Sequence, residues 1–380
     1  MSSPRLPEPS KVLALEPYYG GSHRGFLDGW AKHSRLNWTI LGLPSHHWKW
    51  RMRHAALTMA DQVRRRFEQG ERWDLLWCSD MLNLAEFRGL APEPVSRLPA
   101  VAYFHENQLT YPVRVPHERD YHFAISNLMT ALAADETWFN SQFHKDELLC
   151  ELRSFLQRMP DYQSLDGVDR IAEHSHVHPP GIERFAPPQT REPGPLRLLW
   201  AARWEHDKNP DAFFAALELL EQHGVDFRIN VIGQSFRQSP DIFDAARKRW
   251  IGRIDRWGFQ PTREAYITAL QEADVFVSTA DHEFFGIAAV EAMAAGCYPL
   301  LPERLSYPEL LRFADRAEMS EFFYSGSHEE LAHRLRVVSE LVLDRARWQA
   351  AVQRVRKAVE RFEWSEVADS MDAALLHLTR

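Results

Sequence analysis

The chain is predicted to be an α/β protein made of two parallel-sheet domains in tandem. Three observations point there. Short apolar, β-rich runs alternate with helical patterns, an order that favours parallel strands covered by helices on both faces. The alternation is interrupted by a stiff, proline-rich polar stretch from Pro187 to Pro195 and restarts at Leu196, as expected of an interdomain linker. The 380 residues are enough for two separate cores. Hydrophobic residues make up 45% and charged residues 26% of the chain, the balance of an ordinary globular protein.

The first domain is expected over residues 11–186, after a polar, proline-rich lead-in at 1–10 expected to be disordered. Lys11–Leu15 is read as a strand, followed by Gly20-Gly21 and a helix through Phe26 to Lys32. A strand, a glycine loop and a helix bring backbone close to a phosphate; a plain tight turn fits the same two glycines. Strands follow at Trp38–Leu41, Trp73–Trp77, Ala100–Phe104 and Thr137–Phe139. The Ala100–Phe104 strand delivers His105-Glu106-Asn107-Gln108 to its carboxyl end, where open parallel sheets bind ligands. Between the strands at Trp38 and Trp73 runs HHWKWRMR, His46 to Arg53, leading to Arg64-Arg65-Arg66. Its interleaved bases and aromatics (His46, Trp48, Lys49, Trp50, Arg51, Arg53) suit phosphates and unstacked nucleobases. A solvated helix start with two tryptophans capping the core would look the same.

The second domain is expected over 196–362, with strands at Leu196–Trp200, Phe227–Ile232 and Val275–Thr279. Phe213, Phe214, Leu217 and Leu220 mark a helix between the first two. Arg203 and Lys208 sit in the loop after the first of these strands, placed to hold a pyrophosphate and neutralise a leaving group. The most informative stretch is Ser278 to Gly296. A strand ends at Asp281-His282-Glu283, and a helix runs from near Gly286 to Gly296, a glycine suited to stop it. Glu283 and Glu291 are eight residues apart, about 80° around one continuous helix, a poor acid/base pair. With Glu283 on the loop and Glu291 in the helix, they reach different parts of one extended ligand. The amides of Phe285, Gly286 and Ile287 between them form a helix N-terminus that can seat a diphosphate. The set suits a nucleotide-sugar, with Glu283 on sugar hydroxyls and Glu291 on the ribose diol. The C-terminal region carries two apolar stripes, Trp348/Val352/Val355/Val359/Phe362 and Val367/Met371/Ala374/Leu375/Leu378, broken near Phe362–Ser365.

Other classes are narrowed by composition. No apolar run approaches the roughly 18 residues that span a bilayer, and MSSPRLPEPS lacks a signal-peptide core, so a cytoplasmic protein is expected. The three cysteines are far apart and give neither a disulfide framework nor a metal spacing. A net charge of −8 argues against generic, charge-driven nucleic-acid binding while leaving room for a local basic face. No Asp-x-Asp occurs, and no metal is expected.

The double-glutamate segment resembles that of glycosyltransferase family 4, retaining enzymes of the GT-B fold. Four segments, LEPYYGGSH (15–23), YFHENQLTYP (103–112), RWEHDKNP (203–210) and HEFFGIAAVEAMAAGCYP (282–299), look like the tRNA-queuosine mannosyltransferases. PSHHWKWRMR (44–53) and VIGQSFRQSPDIF (231–243) are similar to that family too. The resemblance implies two Rossmann-like domains facing across a cleft, a last helix, 363–380, that crosses back to pack on the N-terminal domain, a GDP-mannose donor, and the cyclopentene diol of queuosine at a tRNA wobble position as acceptor. It implies sugar and ribose contacts for Glu283 and Glu291, a diphosphate grip for Arg203 and Lys208, a phosphate approach for Gly20-Gly21, a purine contact at Gly258-Phe259, and a place beside the reacting sugar for His105. Two positions depart from it: Ala202 stands where histidine is expected and Gln234 where glutamate is expected. Two other readings compete: a family 4 transferase with a lipid, glycan or small-molecule acceptor, and a non-catalytic protein that binds modified tRNA.

Overall fold

The computed structural model describes residues 10–113, 119–186, 193–236, 239–311 and 319–379. Nine of the ten residues of the expected lead-in, residues 187–192 of the expected linker and residues 237–238 lie outside these. The chain divides into two compact units, residues 1–181 with 364–380, and residues 182–363. The division falls at Gly181/Ile182 because Ile182 and Phe185 are buried in the second core, and the Ile182 N–H donates to the Phe362 carbonyl at 2.7 Å.

Unit 1 holds one six-stranded sheet in the order β2-β1-β3-β4-β5-β6, parallel at every pairing. The strands are β1 (Lys11–Tyr19), β2 (Asn37–Pro44), β3 (Leu75–Ser79), β4 (Ala100–Phe104), β5 (Glu136–Phe139) and β6 (Ser175–Val177). Helices α1 (Gly21–His33), α2 (Trp48–Glu68), α3 (Leu84–Leu90) and α4 (Tyr121–Ala133) follow successive strands or loops of this sheet. The apolar face of α2, with Met52, Ala55, Ala56, Met59, Ala60 and Val63 at helical spacing, is buried. Its other face is the basic, aromatic one.

The other side of this sheet is closed by the last helix, Trp364–His377. Trp364, Val367, Ala368, Met371 and Leu375 share a core with Val12, Ala14, Phe26 and Trp30. Two glycines make room for Trp364: a Cβ on Gly29 or Gly181 would come within 2.4 or 2.3 Å of its ring. Asp372 is the polar anchor of the same contact. Its carboxylate accepts from Trp30 Nε1 at 2.8 Å, Ser34 Oγ at 2.8 Å and the Arg35 amide at 2.7 Å, so this buried charge is compensated.

Unit 2 repeats the plan in the order β12-β11-β10-β7-β8-β9, again parallel. Its strands are β7 (Leu196–Ala201), β8 (Phe227–Ile232), β9 (Ile254–Gly258), β10 (Val275–Val277), β11 (Tyr298–Pro302) and β12 (Phe323–Tyr324). The stripe from Trp348 to Phe362 is buried in its core. No described helix is long and apolar enough to cross a membrane.

Candidate functional site

In unit 2 the chemistry collects where β7 and β10, paired neighbours, end side by side. The loop after β7 carries Arg203 to Lys208 and the loop after β10 carries Asp281 to Glu283. The two are laced together by backbone: the Asp281 N–H donates to the Asp207 carbonyl at 2.8 Å, and Thr279 Oγ1 donates to the Lys208 carbonyl at 2.8 Å. Lys208 is 6% exposed. Its Nζ donates to the His282 carbonyl at 2.6 Å and meets Asp207 at 3.0 Å and Glu283 at 3.3 Å. Burial pulls its pKa down, but Glu283 and Asp207 outweigh that and hold it above the ordinary lysine value. The reverse applies to His282, which burial and Lys208 push to about 4, so it is neutral. Arg203 reaches Glu205 at 3.3 Å on the outer side of the loop.

Helix α5 (Ile287–Ala295) starts directly beyond Glu283. Its N-cap, Gly286, has φ of 92°, and a Cβ there would sit 2.9 Å from Tyr307, so both backbone and space demand glycine. The helix start at Gly286 lies beside a cavity of about 20 Å³, lined by Trp200, Lys208, Thr279, Glu283, Gly286 and Tyr307 among others. The space suits one water-sized group. Phe285, expected as an amide donor, buries its ring against Phe362 at 5.4 Å.

Glu291 lies in the second turn of α5 and is 8% exposed. One of its oxygens is bonded to Arg263 and the other accepts from Tyr266 Oη at 2.9 Å. Neither partner is foreshadowed by sequence spacing, since they lie 28 and 25 residues away. Burial, with the Glu291 charge, pushes the Tyr266 hydroxyl well up. Each carboxylate oxygen keeps a second lone pair, so the pairing orients Glu291 without exhausting it. Gly258 has φ of 84° at the end of β9, and Phe259 after it is 67% exposed, a flat ring presented to solvent.

In unit 1 the parallel registers set Leu15 opposite Cys78, and Ser79 opposite Tyr103. Glu16, Asp80 and His105 therefore emerge together at the carboxyl ends of β1, β3 and β4. Glu16 accepts from Ser79 Oγ at 2.9 Å, the Tyr18 amide at 2.8 Å and His23 Nδ1 at 3.2 Å. Burial alone would lower His23, yet the Glu16 charge and hydrogen bond outweigh it and raise the pKa to about 9. His105 stacks on His23 with centroids 4.1 Å apart. Burial and the His23 charge push His105 well below its usual value, giving a charged and a neutral imidazole in contact. Burial raises the Asp80 carboxyl, against the pull of His23. The ligand atoms of Glu16, His23 and His105 lie within 4.8 Å of one another, and His23 Nδ1 is hydrogen-bonded to Glu16 at 3.2 Å.

The expected tetrad after β4 is split by its surroundings. Asn107 is 0% exposed, and its Oδ1 accepts from the Leu109 and Thr110 amides at 3.1 and 2.8 Å. It builds the turn, which replaces the acceptor contact expected of it. Gln108 donates from Nε2 to Glu106 Oε1 at 3.0 Å, while the His105 carbonyl accepts from Asn140 at 2.9 Å. Gly20 is needed for close approach, since a Cβ would come 2.0 Å from Ser45 Oγ, and Gly21 has φ of 53°.

The run His46–Arg53 is the start of α2 and is not uniform. Arg51 donates to the Pro44 carbonyl at 2.9 Å and meets His54 at 2.8 Å and His46 at 3.2 Å, so it secures the helix start as well as carrying charge. Trp48 leans on Phe123 with centroids 5.1 Å apart, and Lys49 lies over the Trp48 ring. Trp50, 62% exposed, and Arg53 face solvent.

Two parallel-sheet units, one with cation, carboxylate and helix N-terminus converging at its strand ends, define a glycosyltransferase of the GT-B fold. Residues 11–182 match the family model for the tRNA-queuosine alpha-mannosyltransferase N-terminal region, and residues 182–355 match that for glycosyl transferases group 1. The chain is 36% identical over 313 residues to the tRNA-queuosine alpha-mannosyltransferase of Drosophila melanogaster, covering 79% of this chain and 81% of that one. It is 30% identical over 183 residues to a GDP-mannose-dependent phosphatidylinositol dimannoside mannosyltransferase of Mycobacterium tuberculosis, covering 48% and 44%. Sucrose-phosphate synthase from Thermosynechococcus elongatus superposes with a TM-score of 0.69 at 14% identity, over 97% of this chain and 99% of that one; this likeness is one of fold. The chain belongs to the tRNA-queuosine alpha-mannosyltransferase family.

Proposed function

We propose that this enzyme transfers mannose from GDP-mannose to the cyclopentene diol of queuosine in the anticodon loop of tRNA, with retention at the anomeric carbon. The observation that carries the reading is the convergence of Lys208, Glu283 and the α5 amides at the β7/β10 strand ends, in a chain of this family. Lys208, Arg203 and the amides at Gly286 and Ile287 receive the negative charge that develops on the departing diphosphate, the site of largest gain in such a transfer. Glu283 holds sugar hydroxyls and Glu291 the ribose diol. Phe259 supplies a face for the base. This set of cations and amides does for the leaving group what a divalent ion does elsewhere, and we read the reaction as metal-independent. On unit 1, His105, Glu106 and Gln108 receive the diol. Trp48, Lys49, Trp50, Arg51, Arg53 and His46 hold the surrounding RNA. The protein acts on a tRNA substrate in the cytoplasm.

The test is incubation with GDP-mannose and tRNA with or without queuosine, with and without EDTA, followed by mass spectrometry of the nucleosides. A hexose added to queuosine alone, at the same rate with chelator, is expected. Transfer from UDP-glucose in preference to GDP-mannose, or transfer to tRNA lacking queuosine, would overturn the substrate assignment. A chelator-sensitive rate restored by Mg²⁺ or Mn²⁺ would overturn the metal-independent reading.

A further inference from the structure

One concavity of unit 1 is lined by residues away from the β1, β3 and β4 strand ends. It is a groove of about 250 Å³ between α2, the start of α3 and α4. One wall is apolar. Ile125 and Met129, one helical turn apart on α4, are 37% and 41% exposed, while Ala124, Leu128 and Ala131 of the same helix are buried. Large apolar side chains on the outward face of an otherwise satisfied helix mark a contact surface, and a methionine thioether packs well on a flat aromatic ring.

The opposite wall is polar. Asn83 caps α3 by accepting the Glu86 amide N–H on Oδ1 at 3.1 Å, which leaves its NH₂ group, a double donor, out of the cap. Glu86 adds a carboxylate, an acceptor, one turn away. Arg53 stands at the mouth. A carboxylate is misplaced in a plain phosphate site. It is well placed to receive the N–H of a base edge, as Asn83 is to donate to a base carbonyl. A single flat heterocycle fits this volume and this pairing of donor and acceptor; a peptide helix does not.

We propose that this groove is a nucleobase pocket that receives one unstacked base of the acceptor RNA loop. The inference rests on the reading of the chain as a tRNA-modifying transferase and deepens it. What favours RNA as the occupant is continuity. Arg53 belongs both to the groove and to the Lys49–Arg53 face of α2, so a phosphate held there places its base over the Ile125–Met129 wall. Trp50, one turn before Arg53, offers a platform to the adjacent base. Recognition of RNA loops by splaying bases into such pockets is general.

The experiment measures affinity for an anticodon stem-loop RNA and for versions with one abasic site at each loop position in turn. For the unaltered protein, one position is expected to cost about 5- to 100-fold. The variant Ile125→Glu with Met129→Glu alters exposed side chains, so its melting temperature and GDP affinity are expected to stay unchanged. It should bind the intact loop more weakly by a similar factor and be blind to that one abasic site, while still responding to the others. A second variant, Glu86→Gln, should lose part of the same position's contribution. Normal loop affinity in both variants overturns the proposal, as does a loss that adds to the abasic loss at every position. If the altered groove binds RNA normally but loses affinity for anionic-lipid vesicles, the face is a membrane contact and the proposal falls. If the unaltered protein mannosylates tRNA while the groove variants behave normally, only this inference falls. If the unaltered protein binds no tRNA, the acceptor reading falls with it.

Discussion

The candidate donor-site side chains of unit 2 are held by buried ion pairs and hydrogen bonds, whereas the candidate RNA contacts at the start of α2 in unit 1 mostly face water. Lys208 sits between Asp207 and Glu283, and Glu291 between Arg263 and Tyr266. Trp50 and Arg53 stand out from their helix. The difference is the one that the two proposed ligands call for. A small, highly charged donor must be met by groups already oriented, because reorganising buried charges during the reaction is costly. A large polyanion gains from many screened contacts, each modest and each adding to salt dependence.

The comparison breaks most decisively at Lys208. Lys208→Ala should lower the single-turnover rate by about 10²–10³, and because it leaves Asp207 and Glu283 facing each other, it should also lower the melting temperature. An unchanged rate would remove the leaving-group role. Next in size, Glu291→Ala is expected to cost roughly 2–3 kcal/mol in GDP affinity by calorimetry, with tRNA affinity unaltered. Equal GDP binding would mean that Arg263 and Tyr266 hold Glu291 for structure alone.

Unit 1 has one buried ion pair that behaves like unit 2, His23 with Glu16, and pH separates it from the surface. The folded His23 pKa, about 9, lies above the unfolded value of roughly 6.5. Its stabilisation is therefore complete below about pH 6.5 and is lost as pH rises through 9. The gap between these two values corresponds to a loss on the order of 3 kcal/mol. Denaturant titrations at pH 6 and pH 9.5, compared with Glu16→Gln, would read it; a pH-independent difference would refute it. Smallest in energy, Lys49→Ala with Arg53→Ala should weaken tRNA binding by about 1 kcal/mol for each charge removed. The slope of affinity against salt should flatten while GDP affinity holds. Arg51→Ala should behave differently, lowering the melting temperature as well, because Arg51 also ties down His46, His54 and the Pro44 carbonyl.

The sequence alone determined the elements whose signal is local. Alternating apolar runs located most strands, the stripe Trp348–Phe362 and that of the last helix were readable from helical spacing, and Gly286 and Gly296 bounded α5 as their special backbone demands. Glu283, Arg203 and Lys208 could be singled out as candidates because they follow strand ends, and Glu291 because it lies in the helix that Gly286 opens. The strands β6, β9, β11 and β12 were not anticipated; three and two residues in β6 and β12 are too few for a period to show.

Only the tertiary structure decided which polar residues are partners. Arg263 and Tyr266 meet Glu291 because α5 packs beside the helix that follows β9, and no spacing in the chain encodes that. Glu16, Asp80 and His105 meet because β1, β3 and β4 are neighbours in register, an order set by how the sheet assembles. Asn107 has the place of a ligand contact, directly after a strand, and burial in the turn gives it a different task. Side-chain pairing across a sheet depends on strand order and register, which are long-range properties, whereas capping, periodicity and glycine geometry are settled within a few residues.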